Sequence, residues 1–227
     1  MKESQFKFDN IPKGEKFICL FSSGKDCNLA LSIALQTGEA VALLHCVFDN
    51  DSHEPATYLN SEKKDKNIEK QAEVLEIPVD YCIGHWTKWN KLIKIYKKYI
   101  EQGVKYIVLG DLKSEISVDY QNKLCKSVGL IPFFPLYQKP YDIIMSEFEN
   151  RNIEAIISVI RSDKIPNNWL GKIFNRETYD NFKLLNIDPM GENGEFHTTV
   201  LNSDCFKRRL NYKILGKDSR QIFIELL

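Results

Sequence analysis

The chain has 227 residues, with 31 Lys+Arg against 31 Asp+Glu, so its formal net charge is zero. A 43% hydrophobic, 27% charged composition is that of a folded domain and excludes a disordered chain. Zero net charge argues against nucleic-acid binding by a bulk positive field, and no run approaches the roughly 18 apolar residues of a membrane span.

The segment MKESQFKFDN lacks the long apolar stretch of a secretory signal. Six cysteines, at 19, 27, 46, 82, 125 and 205, form no C-x-x-C pair, so no zinc ribbon or dithiol motif is indicated. Several sit in apolar runs, as free thiols of a reduced, cytoplasmic protein do.

Short apolar runs alternate with amphipathic stretches. Phe17–Phe21 predicts a buried strand, 28–36 a helix stopped by Gly38, and 40–48 a second strand. The charged stretch 60–76 carries Ile68, Ala72 and Leu75 at helical spacing. Strand 79–83, helix 88–102 ending at Gly103, and strand 106–109 follow. Strand–helix alternation predicts an α/β fold, a Rossmann-like parallel sheet with crossover helices. Ligands of such sheets bind beyond the carboxyl ends of the strands, here loops 22–27, 49–57, 84–87 and 110–117. Past Gly129 the pattern turns irregular, punctuated by prolines, which predicts a boundary between 1–129 and a smaller α+β domain at 130–227. There the expected strands are 153–160, 198–201 and a closing pair within 212–227.

Loop Ser22-Ser23-Gly24-Lys25-Asp26-Cys27 joins a strand to a helix. Small residues permit close backbone approach, a helix N-terminus favours anions, and Lys25 adds a full charge, so phosphate is the natural guest. Asp26 is a candidate cap. The loop is not a Walker A motif, and an ordinary Ser-Gly turn with a helix cap also fits. A second cluster, Gly191-Glu192-Asn193-Gly194-Glu195-Phe196-His197-Thr198, packs two carboxylates and a histidine between flexible glycines. Gly194 would let Glu192 and Glu195 converge, and His197 would be oriented by acid groups. A polar turn entering a strand fits as well. His45 reads as a core histidine. His85, Trp86 and Trp89 read as either a stacking surface or packing, and Asp111 as a cap.

The first loop resembles the pyrophosphate loop, S-x-G-x-D-S, of the ATP pyrophosphatase (adenine nucleotide alpha hydrolase, PP-loop) superfamily. Ser23 stands where many members have glycine, and Cys27 where most have serine. Together with Gly110-Asp111, Pro135-Leu136-Tyr137, Leu170-Gly171, the 191–198 cluster and Asp204-Cys205-Phe206, it resembles the diphthine–ammonia ligase family, in a paralog of E-F-H-T type. Eukaryotic members tend to carry E-Y-E-T at 195–198, and Met190 replaces a common cysteine.

The resemblance implies an ATP-binding domain and an acceptor domain. It implies adenylation of a carboxylate with release of pyrophosphate, then amidation by ammonia. The acceptor would be a modified histidine of elongation factor 2 or a small-molecule carboxylate. Implied nucleotide contacts are Ser22, Ser23, Gly24, Lys25, Asp26 and Cys27, then His45, Cys46 and Val47 for adenine, and Gly110 and Asp111. Mg²⁺ would meet Asp26. Lys25, Glu192, Glu195 and His197 would serve catalysis, and Lys25→Ala is expected to stop pyrophosphate release while the fold survives. Two other readings stay open: a nucleotide-binding regulatory module, and a PP-loop enzyme acting on tRNA. A homo-oligomer stays open too.

Overall fold

The computed structural model describes residues 8–47, 62–83, 89–161 and 163–227. The expected loops at 49–57 and 84–87, with His53, His85 and Trp86, lie outside the described residues, as does Phe48.

β1 (Lys16–Leu20) is the middle of the first sheet. Alternation along a strand sends successive side chains to opposite faces. Phe17 and Cys19 therefore enter one core and Ile18 the other. β2 (Glu39–Val47), β3 (Val79–Ile83), β4 (Tyr106–Val108) and β5 (Ile131–Phe133) complete a five-stranded sheet of order β3-β2-β1-β4-β5. All four pairings are parallel. The chain moves outward from β1 in one direction, then returns to β1's other side, so the switch point lies between β1 and β4. β5 lies just past the boundary expected at 129.

α1 (Lys25–Ala34) starts three residues earlier than its apolar spacing suggests. Nine of its ten residues are buried, because it is covered on both sides. α2 (Glu62–Leu75) joins β2 to β3 and packs on the same face. α3 (Trp89–Ile100) and α4 (Glu115–Val128) cover the opposite face through Leu92, Tyr96 and Leu124. Gly103 ends the α3 turn at φ 83°. Gly38 follows the end of α1 and donates its N–H to Ala34 O at 2.9 Å, without a left-handed φ. A Cβ there would lie 3.0 Å from the Phe17 ring, so close packing at the entry to β2 is what its hydrogen serves.

α5 (Tyr141–Asn150) leads to β6 (Glu154–Ile160), then to β7 (Ile173–Phe174) and α6 (Arg176–Leu184). β8 (Phe196–Asn202) pairs antiparallel with β6, giving a three-stranded sheet of order β7-β6-β8. β9 (Tyr212–Lys217) and β10 (Ile222–Leu226) form the expected closing pair, antiparallel. The apolar cluster around α1 continues without a break into Phe148, Ile156, Phe182 and Val200. A part-buried polar knot reinforces that seam. The Arg151 guanidinium donates to Ser32 Oγ at 2.9 Å and to Asp204 Oδ2 at 3.3 Å, and Ser32 donates to Asp204 Oδ1 at 2.5 Å. Asp204 is thus a structural tie. No described helix is long and apolar enough to cross a membrane.

Candidate functional site

Beyond the carboxyl ends of β1 and β4 lies a cavity of about 620 Å³, a size suited to a small-molecule ligand. One wall is the 22–27 loop with Gly110 and Asp111. The other is Met190–Glu192 and Phe196–Thr199, with β10 closing one side.

Gly24 is the N-cap of α1 and brings no side-chain cap. Asp26 sits in the helix's first turn and pairs with Lys25, so it is not the cap. The cap of α4 is likewise Ser114, accepting from Ser117 N–H at 3.3 Å, and not Asp111. Ser23 holds φ at 66°, in the left-handed region that glycine prefers. Its carbonyl accepts from Val200 N–H at 3.0 Å and from Gln71 Nε2 at 3.3 Å. The Cys27 thiol closes the loop from inside. It donates to Gly24 O at 3.2 Å and accepts from Ser22 N–H at 3.4 Å. Gly110 is pressed against the start of α1: a Cβ there would lie 2.8 Å from backbone atoms of Asp26 and Cys27.

Lys25 turns inward. Its ammonium donates to Asp26 Oδ1 at 2.9 Å, to Asp26 Oδ2 at 2.7 Å and to Met190 O at 2.6 Å. It also lies 5.6 Å from the ring centroids of both Phe174 and Phe196. The Lys25 backbone N–H donates to Thr198 Oγ1 at 3.1 Å. The two motifs, 165 residues apart at Lys25 and Met190, therefore touch directly.

The second wall is acidic. Burial, then the neighbouring Asp26 charge, pushes Glu192 up to about 7, and its Oε2 accepts from Lys113 N–H at 3.2 Å. Burial also raises Asp26, against the pull of Lys25, and raises Asp111. Asp188 accepts from Tyr141 Oη at 2.9 Å. Glu192 and Glu195 do not converge on one point. Glu195 binds its own loop, accepting from Asp188 N–H at 3.1 Å and Asn193 N–H at 3.0 Å, and it does not line the cavity. Gly191 and Gly194 both hold φ at 78°, in the left-handed region. His197 lines the cavity from β8, and its carbonyl accepts from Ser158 Oγ at 3.4 Å.

His45 is the expected core histidine, with Nδ1 2.8 Å from Phe21 O and its ring edge-on to Tyr81. His45 and Cys46 line the cavity, whereas Val47, at the end of β2, does not. Sequence reasoning overlooked Thr198 and Gln71 as loop supports. Thr198 was visible inside the second motif, while Gln71 on charged α2 gave no signal.

Residues 15–132 match the family model for the diphthamide synthase N-terminal domain, and residues 140–223 that for the diphthamide synthase C-terminal domain. A diphthine–ammonia ligase of Schizosaccharomyces pombe is 23% identical over 216 residues, covering 86% of this chain and 36% of its own length. The human protein of that name is 28% identical over 124 residues, 53% of this chain and 46% of its own length. The mouse protein is 24% identical over 216 residues, 84% and 80% of the two lengths. The chain thus spans about a third to a half of the length of the yeast and human relatives. A solved structure titled as a predicted subunit of tRNA methyltransferase from Methanocaldococcus jannaschii superposes with a TM-score of 0.42 at 15% identity, over 83% of this chain and 97% of that one. With both domain models matched in chain order, this chain belongs to the diphthamide synthase family.

Proposed function

We propose that this chain is an ATP-dependent ligase that adenylates a carboxylate and converts it to an amide with ammonia. The observation that carries the reading is the meeting of two motifs: the α1 N-terminal loop and the Glu192–Thr198 segment line one cavity at the sheet's switch point. The family's relatives named diphthine–ammonia ligase support the same chemistry, with ATP and ammonia as co-substrates. Residues 1–129 would hold the nucleotide and 130–227 the acceptor.

In this reading the Ser22–Cys27 loop, at the N-terminal end of α1, receives the phosphates. Cys46 and the backbone near His45 border the adenine. The acceptor carboxylate attacks the α-phosphorus and pyrophosphate leaves. Ammonia then attacks the acyl carbon and AMP departs, leaving the amide. Glu192, protonated in part near neutrality, faces the phosphates and can take the proton that ammonium must lose. His197 borders the acceptor side. Glu195 is a positioning residue that shapes the 188–195 turn.

Mg²⁺ fits this wall as an ion carried by the nucleotide. Among the described residues no group of three metal-binding side chains is spaced as a cage. A nucleotide-borne ion needs only one or two carboxylates, and Asp26, Asp111 and Glu192 supply hard oxygens whose pKa values burial raises. Such an ion supplies neutralisation of the charge that develops on pyrophosphate.

A nucleotide-binding module without chemistry is favoured by one observation, the engagement of Lys25 with Asp26 and Met190 O. The deciding experiment measures pyrophosphate and AMP release from Mg·ATP with ammonium and a nucleotide-stripped extract. Release that needs extract and falls in Glu192→Gln supports the ligase. Tight ATP binding with no release in any extract leaves the module.

A further inference from the structure

Cys46 and Cys82 face each other across the β2–β3 pair as in-register partners. Neighbouring strands lie about 4.8 Å apart, inside the Cα separation of about 4.4–6.8 Å that a disulfide spans. In-register residues of parallel strands point to the same face. Both thiols line the cavity, and a hydrogen bond joins one to the other. Both are free cysteines. Cys19 and Cys125, by contrast, are buried outside the cavity, and burial raises their thiols.

The pair is asymmetric. The hydrogen bond from Cys46, aided by the Lys91 ammonium on α3, lowers Cys82 to about 7, against the effects of burial and of Asp80 on β3. The same bond and burial raise Cys46. Tyr96 on α3 and Tyr120 on α4 also face the two sulfurs and are themselves raised. One thiol is thus poised to attack and the other stands beside it to resolve.

We propose that Cys46 and Cys82 form an oxidisable dithiol in the wall of the cavity, a modification site for peroxides. The Cys82 thiolate attacks one peroxide oxygen and the O–O bond breaks. The departing hydroxide takes the proton Cys82 gave up and leaves as water. Cys46 sulfur then attacks the Cys82 sulfenic acid, the S–O bond breaks, and the hydroxyl leaves as a second water with the Cys46 proton. The two thiols lose two electrons and the peroxide gains them. The bond staples the carboxyl ends of β2 and β3. Its consequence for the ligand rests on the proposal that adenosine lies against β2, whereas the bond itself does not.

The test is hydrogen peroxide titration of the reduced full chain, alkylation of the remaining thiols and a non-reducing peptide map. The expected result is one crosslinked pair, Cys46 with Cys82, a chain lighter by two hydrogens, and reversal by dithiothreitol. Cys46→Ser should leave Cys82 as a sulfenic acid that dimedone traps, and Cys82→Ser should lose both products. First oxidation at another cysteine, or wild-type Cys82 passing to sulfinic acid uncrosslinked, overturns the proposal. ATP is the second arm. A ligand covering both thiols at about ten times its Kd slows the reaction roughly tenfold. Failure of the reduced protein to bind ATP would overturn the nucleotide reading, and is told apart from failure of the dithiol by the peptide map.

Discussion

The two walls of the cavity are held by different means. The sheet-side wall is held by backbone: Gly110 lies against the first turn of α1, Ser23 O accepts from Val200 N–H at 3.0 Å, and Cys27 bonds within its own loop. The opposite wall is held by charge, through the 188–195 turn that carries Met190–Glu192. Glu195 gathers Asp188 and Asn193 N–H groups, Glu192 takes Lys113 N–H, and Lys25 reaches across to Met190 O. Backbone contacts tolerate changes of pH and ligand charge, while a wall held by half-buried carboxylates responds to both. The fixed wall suits a phosphate site, and the responsive wall suits a place where protons and acceptors change.

Substitutions separate the two kinds of wall. Lys25→Met should have the largest effect, because it strands the Asp26 carboxylate in a buried site and frees Met190 O. Breaking such a pair costs roughly 3 kcal/mol, here reduced by the partial exposure of Asp26, which retains 26% of its side-chain surface. A urea midpoint that falls with unchanged slope would confirm it. Fold stability equal to wild type would mean that Lys25 serves the ligand alone. Gly110→Ala comes next. Its methyl would meet backbone, which cannot rotate away, and overpacking of that kind costs about 1–3 kcal/mol. The loss should appear in both stability and ATP affinity, since the strain lands on the α1 N-terminus. An affinity unchanged in a destabilised Gly110→Ala would detach that helix end from the nucleotide.

The same contrast explains what the sequence made legible. Strands β1, β2 and β4 were visible because each carries a run of apolar residues with a buried stretch, and β3 by its short Val79–Ile83 segment. The Ser22–Cys27 loop was visible because its small residues and Lys25 stand in one contiguous stretch at a strand–helix junction. α4 was not visible: its buried face, Val118, Gln121, Leu124 and Cys125, is too mixed to make an apolar stripe. β5 and β7, three and two residues long, offer no periodicity at all. α6 is mostly polar outside Tyr179 and Phe182. In the site, the residue types were legible and their directions were not. Glu192 and Glu195 are separated by the left-handed Gly194, and Glu195 bonds into its own turn while Glu192 meets Lys113 N–H. Lys25 points inward because its carbonyl partner comes from the far half of the chain.

Glu192 sharpens the responsive wall through pH. Its carboxyl moves from the ordinary 4.5 to about 7 in the folded protein, by burial and then by Asp26. Between those values the native state holds a proton that the unfolded chain has released. Stability from this group therefore falls as pH rises from 4.5 to about 7 and levels off above it. Urea midpoints across that window should slope downward for this component, and Glu192→Gln should remove it. A slope retained in Glu192→Gln would assign the effect to Asp26 or Asp111, which are raised as well.

Ser23 offers the smallest effect and the finest distinction within the backbone wall. Its left-handed conformation, φ 66°, costs a non-glycine residue roughly 1–2 kcal/mol. Ser23→Gly removes that strain but adds about 0.5–1 kcal/mol of chain entropy to the unfolded state. The net gain should therefore be at most about 1.5 kcal/mol. Ser23→Ala keeps the strain and deletes only the hydroxyl. If the loop holds phosphate by its backbone, both variants bind ATP like wild type and only the glycine variant is stabilised. If the hydroxyl itself touches the phosphates, both lose affinity in step, and the stabilised Ser23→Gly would be the weaker binder despite the sturdier fold.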